Sequence, residues 1–152
     1  MKISVMGSGG WGTALALVLL ENGHDVTMWS YTEAESAVLK EQRENPMLKG
    51  VPLPDGLKLT SDSGCVKGCG AVVLATPSFA VRATARTLAP LLEPGTVLVS
   101  VSKGIEKDTS LTLTEAIAQE VGERCPIVAL SGPSHAEEVG RQIPTAVVSA
   151  SK

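Results

Sequence analysis

The run Gly7-Ser8-Gly9-Gly10-Trp11-Gly12 places glycines at G-x-G-x-x-G spacing. In a glycine-rich chain that spacing alone says little. Its setting says more: a β-branched strand-like segment precedes it and an apolar helix-like segment follows, the context in which such a turn cradles a dinucleotide pyrophosphate. Gly7 permits the tight turn, and Gly9 lets the backbone approach the phosphates where a Cβ would collide. Gly12 lets the helix pack close to the strand, and the free N–H groups of that helix face the phosphate oxygens. The plainer alternative is an ordinary glycine-rich strand-to-helix turn.

The second strand bears on which dinucleotide binds. An acid about 20 residues beyond the turn usually meets the adenosine ribose of NAD. Here the strand ends Trp29-Ser30-Tyr31-Thr32, with no acid until Glu33. No carboxylate repels a 2′-phosphate, so NADP is admitted beside NAD, and no Arg attracts it. Ser30 and Thr32 offer hydroxyls to either ribose, and Tyr31 can lie against adenine. Thr32 is equally placed to serve only as a helix cap.

Open α/β sheets bind ligands beyond the carboxyl ends of their strands. Thr76-Pro77-Ser78-Phe79, Ser102-Lys103-Gly104 and Ser131-Gly132-Pro133-Ser134-His135-Ala136 fall at such ends. Lys103 is the lone charge where an apolar strand emerges, suited to an alkoxide or phosphate in a partly dry cleft. A solvated loop lysine has the same spacing. Ser134 is a helix cap that also can meet ligand, and His135 has no visible carboxylate partner.

The elements that must position these residues alternate along the chain. Strands are expected at Lys2–Met6, Asp25–Trp29, Leu57–Thr60, Ala71–Thr76, Thr96–Val101, Ile127–Leu130 and Thr145–Ala150. Continuous apolar runs such as Ala71-Val72-Val73-Leu74-Ala75 mark strands covered on both faces, as in parallel sheets. Helices are expected at Gly12–Asn22, Glu33–Arg43, Phe79–Leu92, Ser110–Val121 and Ala136–Gly140. Thr32 and Ser134 each begin an S/T-x-x-E/Q-type start signal, and Gly23 stands where a helix would end. The expected fold is α/β: a Rossmann-like, doubly wound, mostly parallel sheet with helices on both faces. Asn45–Gly56, with three prolines, reads as a loop and not a domain boundary.

Composition narrows the function classes. The 152 residues are 43% hydrophobic and 19% charged, which excludes a disordered chain and suits one domain. Aromatics at 3% leave the core to Val, Leu, Ile and Ala. A net charge of −3 gives no basic footprint for nucleic acid. The longest apolar stretch, Ala14 to Leu20, falls far short of the roughly 18 residues of a membrane span. Cys65, Cys69 and Cys125 are odd in number without a CxxC pair, against a zinc site or disulfide framework and consistent with the reducing cytoplasm.

Taken together, GSGGWGTALA (Gly7–Ala16), GHDVTMW (Gly23–Trp29), Thr76-Pro77-Ser78, SKGIE (Ser102–Glu106) and SGPSHAEE (Ser131–Glu138) resemble the N-terminal half of bacterial NAD(P)-dependent glycerol-3-phosphate dehydrogenases. The segments fall in order and cover essentially the whole chain. The resemblance implies an oxidoreductase interconverting sn-glycerol 3-phosphate and dihydroxyacetone phosphate. It places Gly7, Gly9, Gly10, Trp11 and Gly12 on the cofactor pyrophosphate and Tyr31 at its adenosine end. Lys103 would touch cofactor and substrate in the catalytic role, Gly132 and Ser134 the phosphorylated substrate, and Ala136 the nicotinamide side. It implies no metal.

Two residues depart from the family. Gly10 stands where Ser or Asn is common, which removes a hydroxyl or amide from the pyrophosphate loop. At the Tyr31 position Arg, His or an aromatic residue is common, and Tyr31 in place of Arg weakens the case for a strong NADP preference. Family members also run to about twice this length, with a helical domain that supplies the general-base lysine and the substrate-phosphate arginine. The expectation is therefore a dinucleotide-binding domain over residues 1–152, without its helical partner domain and inactive alone. The full-length parent would be open to forming a homodimer. A ketopantoate reductase-like enzyme and a non-enzymatic dinucleotide sensor are the alternatives; the sensor predicts no exposed apolar face.

Overall fold

The computed structural model describes residues 1–151; Lys152, the last residue of the expected domain, lies outside the described residues. Seven strands form one sheet: β1 (Lys2–Met6), β2 (Asp25–Trp29), β3 (Lys58–Thr60), β4 (Ala71–Leu74), β5 (Val97–Ser100), β6 (Ile127–Ser131) and β7 (Val148–Ser151). Their order is β3-β2-β1-β4-β5-β6-β7. All neighbours pair in parallel except β7, which runs antiparallel to β6, with Ser131 opposite Val148. The order reverses between β1 and β4, so a crevice opens where the connections from these two strands part to opposite faces.

Alternation along the strands builds two cores. Ile3, Val5, Val73 and Val101 face α1 (Gly10–Glu21), Leu39 of α2 (Glu33–Gln42) and Val139 of α5 (Ala136–Gly140). Met6, Val72, Leu74 and Leu98 face α3 (Val81–Leu88) and α4 (Leu113–Val121). Helices thus cover both faces, and the centre of the sheet is dry: Val5, Met6, Val72 and Leu74 are at most 0% exposed. Coverage fails toward the far edge, where β6 is half-buried and every residue of β7 is exposed.

Local chemistry explains most element ends. Thr32 caps α2 through a reciprocal box: its hydroxyl accepts from the Glu35 N–H, and the Glu35 carboxylate accepts from the Thr32 N–H. Thr112 and Glu115 form the same box on α4, which therefore begins three residues later than the expected Ser110. The Ser134 start signal is not used as a cap. His135 occupies the cap position of α5 and its side chain makes no capping bond, while Ser134 Oγ faces the Gly132 carbonyl at 3.5 Å. The expected helix Phe79–Leu92 divides into a 3-10 turn at Ser78–Ala80, α3, and a second 3-10 turn at Ala89–Leu91, because Pro90 lacks the N–H that would extend α3.

The segment expected as a loose loop is largely packed. Pro46–Leu48 forms a 3-10 turn, and Leu48, Val51, Leu53 and Leu57 are buried in the first core.

Candidate functional site

A cleft of about 1530 Å³ lies beyond the carboxyl ends of β1, β2, β4 and β5. The glycine turn forms its floor. Gly7 has φ +131, and a Cβ there would stand 2.6 Å from the Ala75 carbonyl oxygen, so only glycine fits. At Gly12 a Cβ would fall 2.1 Å from the Gly7 carbonyl oxygen, which fixes how closely α1 approaches β1. Gly9 differs: nothing lies within 4 Å of the place its Cβ would take. The absence of a side chain at Gly9 leaves space in the cleft, and that space sits at the N-terminus of α1, where backbone N–H groups are free.

Gly10 is glycine for a different reason. A Cβ would meet the Met47 carbonyl oxygen at 2.7 Å and Ala136 Cβ at 3.5 Å. The Pro46–Leu48 turn and the start of α5 therefore close directly on the glycine turn. Asn45 ties the Pro46–Leu48 turn to the glycine turn and α1: its Nδ2 donates to the Ser8 carbonyl at 2.8 Å and to Thr13 Oγ1 at 2.6 Å, and its Oδ1 accepts from Met47 N–H. Asn45 is 3% exposed, and nothing in the motifs marks it. The visible signal was only a polar residue beside Pro46 in a chain segment otherwise rich in buried apolar residues.

One end of the cleft lies beyond β2. Tyr31, Ala34, Glu35 and Val38 line it, with Ser61 and Ser63 opposite. Tyr31 is 81% exposed and meets Trp29 edge-on, with ring centroids 6.1 Å apart. Trp29 Nε1 donates to the Ser61 carbonyl at 2.8 Å. The sequence offers no acid at the end of β2; the first turn of α2 nevertheless carries Glu35 onto this wall.

The other end gathers the three strand-end segments. Thr76, Ser102, Lys103, Ser134, His135 and Ala136 line it, and Trp11 borders it from α1. Lys103 Nζ donates to the Gly132 carbonyl at 3.2 Å, joining the loop after β5 to the loop after β6. Gly132 itself is off the cleft lining, with φ +146. Ser102 Oγ donates to the Thr76 carbonyl. Thr76 Oγ1 is buried with no hydrogen-bond partner among the described residues. The loop carrying Lys103 is held from below: Glu106 accepts from Arg82 on α3 at 2.6 and 2.7 Å and from Thr109 at 2.6 Å. The Arg82 guanidinium, then Thr109, hold the Glu106 carboxyl down at about 2, well below its usual value.

The sequence-expected residues thus converge: Gly7, Gly9, Gly10, Trp11, Gly12, Tyr31, Lys103, Ser134 and Ala136 share one cleft, and Gly132 touches it through Lys103. The set fits a dinucleotide, with a Cβ-free approach at Gly9, a helix N-terminus behind it, and an orphaned hydroxyl at Thr76.

A family model described as NAD-dependent glycerol-3-phosphate dehydrogenase N-terminus matches residues 2–152. The chain belongs to that family. It is 47% identical over 151 residues to a glycerol-3-phosphate dehydrogenase (NAD(P)+) of Fusobacterium nucleatum, covering 97% of this chain and 45% of the relative. A protein of the same name from Agathobacter rectalis is 44% identical over 154 residues, covering 99% and 45%. The crystal structure of a glycerol-3-phosphate dehydrogenase from Coxiella burnetii superposes with a TM-score of 0.92 at 36% identity, over 99% of this chain and 46% of that one. This N-terminal glycerol-3-phosphate dehydrogenase domain spans less than half the length of those relatives. The cofactor class follows with the family: NAD(P). No helix among the described residues is long and apolar enough to cross a membrane.

Proposed function

We propose that the chain is the cofactor-holding half of an enzyme that interconverts sn-glycerol 3-phosphate and dihydroxyacetone phosphate. The observation that carries the reading is the open approach at Gly9 in front of the α1 N-terminus, within a cleft that also holds Lys103. Gly7, Gly9, Gly10, Trp11 and Gly12 shape the pyrophosphate cradle, Tyr31 borders the adenosine end, and Ala136 borders the nicotinamide. When bound, the dinucleotide supplies a hydride acceptor or donor. Lys103 brings positive charge to the C2 oxygen of substrate, where an oxyanion develops, and Gly132 and Ser134 orient the substrate beside it. The bond from Lys103 to the Gly132 carbonyl supports this placement by holding the ammonium at the junction of the two loops.

Taking the proton from the C2 hydroxyl needs a base. We place that base, and the cation for the substrate phosphate, in a following helical domain. Two observations support such a domain: the length of the relatives, and the exposed side formed by β6, β7, Ile143 and Val147. A self-sufficient sensing module would cover that side. The three free cysteines agree with a reducing cytoplasm. The chain alone therefore binds dinucleotide and does not turn over. Incubation with glycerol 3-phosphate and NAD or NADP, followed by absorbance of the reduced cofactor, tests this: no steady turnover is expected, and turnover would refute the need for a second domain.

A further inference from the structure

We propose that the cleft selects NAD(H) over NADP(H), and that Glu35 is the residue that makes the choice; this rests on the dinucleotide reading of the cleft.

A 2′-phosphate adds a dianionic group at the adenosine end, beyond β2. Apart from the Ser63 hydroxyl on the cleft wall, the groups there that would receive it are taken or turned away. Thr32 Oγ1 accepts from the Glu35 N–H and sits in the capping box. Ser30 is 0% exposed and lies off the cleft lining. The Ser61 hydroxyl donates to Glu33. The nearby cations are engaged elsewhere: Lys40 lies 3.9 Å from Glu33, and Arg43 donates to the Leu57 and Asp55 carbonyls. Neither lines the cleft; among the described residues the one lysine or arginine that does, Lys103, stands at the opposite end.

What remains at the adenosine end is negative. The carboxylates of Glu33 and Glu35 already occupy the positive pole of α2, and Glu35 is on the cleft wall itself. A carboxylate in that place accepts from ribose hydroxyls and repels a phosphate. Tyr31 adds a ring face for adenine and no charge.

Glutamine at position 35 keeps the capping box, because its amide oxygen still accepts from the Thr32 N–H, while the charge is removed. The test is fluorescence titration of NADH and NADPH against the chain and against Glu35→Gln, with circular dichroism to show both fold alike. The chain is expected to bind NADH at least about tenfold more tightly than NADPH, and Glu35→Gln to shrink that ratio severalfold by strengthening NADPH. NADPH binding as tightly as NADH, or a ratio that Glu35→Gln leaves unchanged, would overturn the inference while the cleft remained a dinucleotide site. Binding of neither cofactor would overturn the dinucleotide reading and the selection with it.

Discussion

Arg82 grips Glu106 with two parallel bonds, Nε to Oε1 at 2.6 Å and a terminal nitrogen to Oε2 at 2.7 Å. The same guanidinium reaches Glu120 on α4 at 2.9 Å, and Arg86 shares that carboxylate. One cation therefore joins α3, α4 and the loop that carries Lys103. The Glu106 and Glu120 side chains are only 16% and 13% exposed, so removing one partner strands a shielded charge.

This network predicts how stability responds to acid. Arg82 holds Glu106 at about 2, and Arg86 with Arg82 holds Glu120 at about 2, against an ordinary value of 4.5. Groups depressed in the folded state stabilise fully above their unfolded pKa, so the contribution is complete above 4.5 and disappears as pH falls toward 2. Thermal midpoints measured across that window should fall steeply, and Glu106→Gln should flatten the slope. An identical acid limb in the variant would remove the network from the explanation.

The glycines of the turn separate folding from binding. Gly12→Ala drives a methyl onto the Gly7 carbonyl and should destabilise by about 1–3 kcal/mol or more, read by urea unfolding. Gly9→Ala meets open space and keeps an extended backbone that alanine adopts freely (φ −70, ψ 174). It should unfold at the parent's urea midpoint yet bind NADH at least about tenfold more weakly, since its methyl enters the pyrophosphate approach. Equal affinity in Gly9→Ala would mean the phosphates lie elsewhere.

Asn45→Ala removes the bonds to Ser8 and Thr13 and leaves the Pro46–Leu48 turn without its tether. A loss of about 1–3 kcal/mol is expected in chemical unfolding. Hydrogen exchange at Met47 and Leu48 should quicken beyond what the global loss accounts for. Unchanged protection there would show that buried Leu48 alone seats the turn.

Lys103 is exposed and makes one side-chain bond, to the Gly132 carbonyl. Lys103→Met should leave stability within about 0.5 kcal/mol of the parent. The same change should weaken NADH and make its binding less sensitive to salt, because the one lysine lining the cleft among the described residues is gone. A salt dependence identical to the parent's would place the cofactor away from this side chain.

The sequence made the sheet and the glycine turn legible because both are local patterns. Apolar runs report burial on both faces, and glycines at fixed offsets report a backbone that must pass close to something. Asn45 was not legible: its partners Ser8 and Thr13 lie far back in the chain, and no periodicity encodes that meeting. Glu35 was visible only as half of a capping box, since its place on the cleft wall depends on where α2 starts relative to the end of β2. The bounds of α5 match the expected Ala136–Gly140, but the Ser134 start signal misled about its cap, because such a signal competes with tertiary contacts: His135 holds the cap position, with Ser134 turned toward Gly132.

The strand order also sets a schedule for biosynthesis. β1 leaves the ribosome before both of its sheet neighbours and lies inside the finished sheet, where Ile3 pairs with Val26 on one side and Ala71 on the other. The first partner arrives early. The second arrives only after α2, the Asn45–Leu57 segment and β3 have been made, so a strand whose Ile3, Val5 and Met6 are destined for burial waits with one edge unpaired. Non-local parallel pairing of this kind is slow and exposes nascent chains to aggregation. Translation speed between β2 and β4, or a chaperone that shields the waiting edge, would then govern how much of the chain reaches its native state.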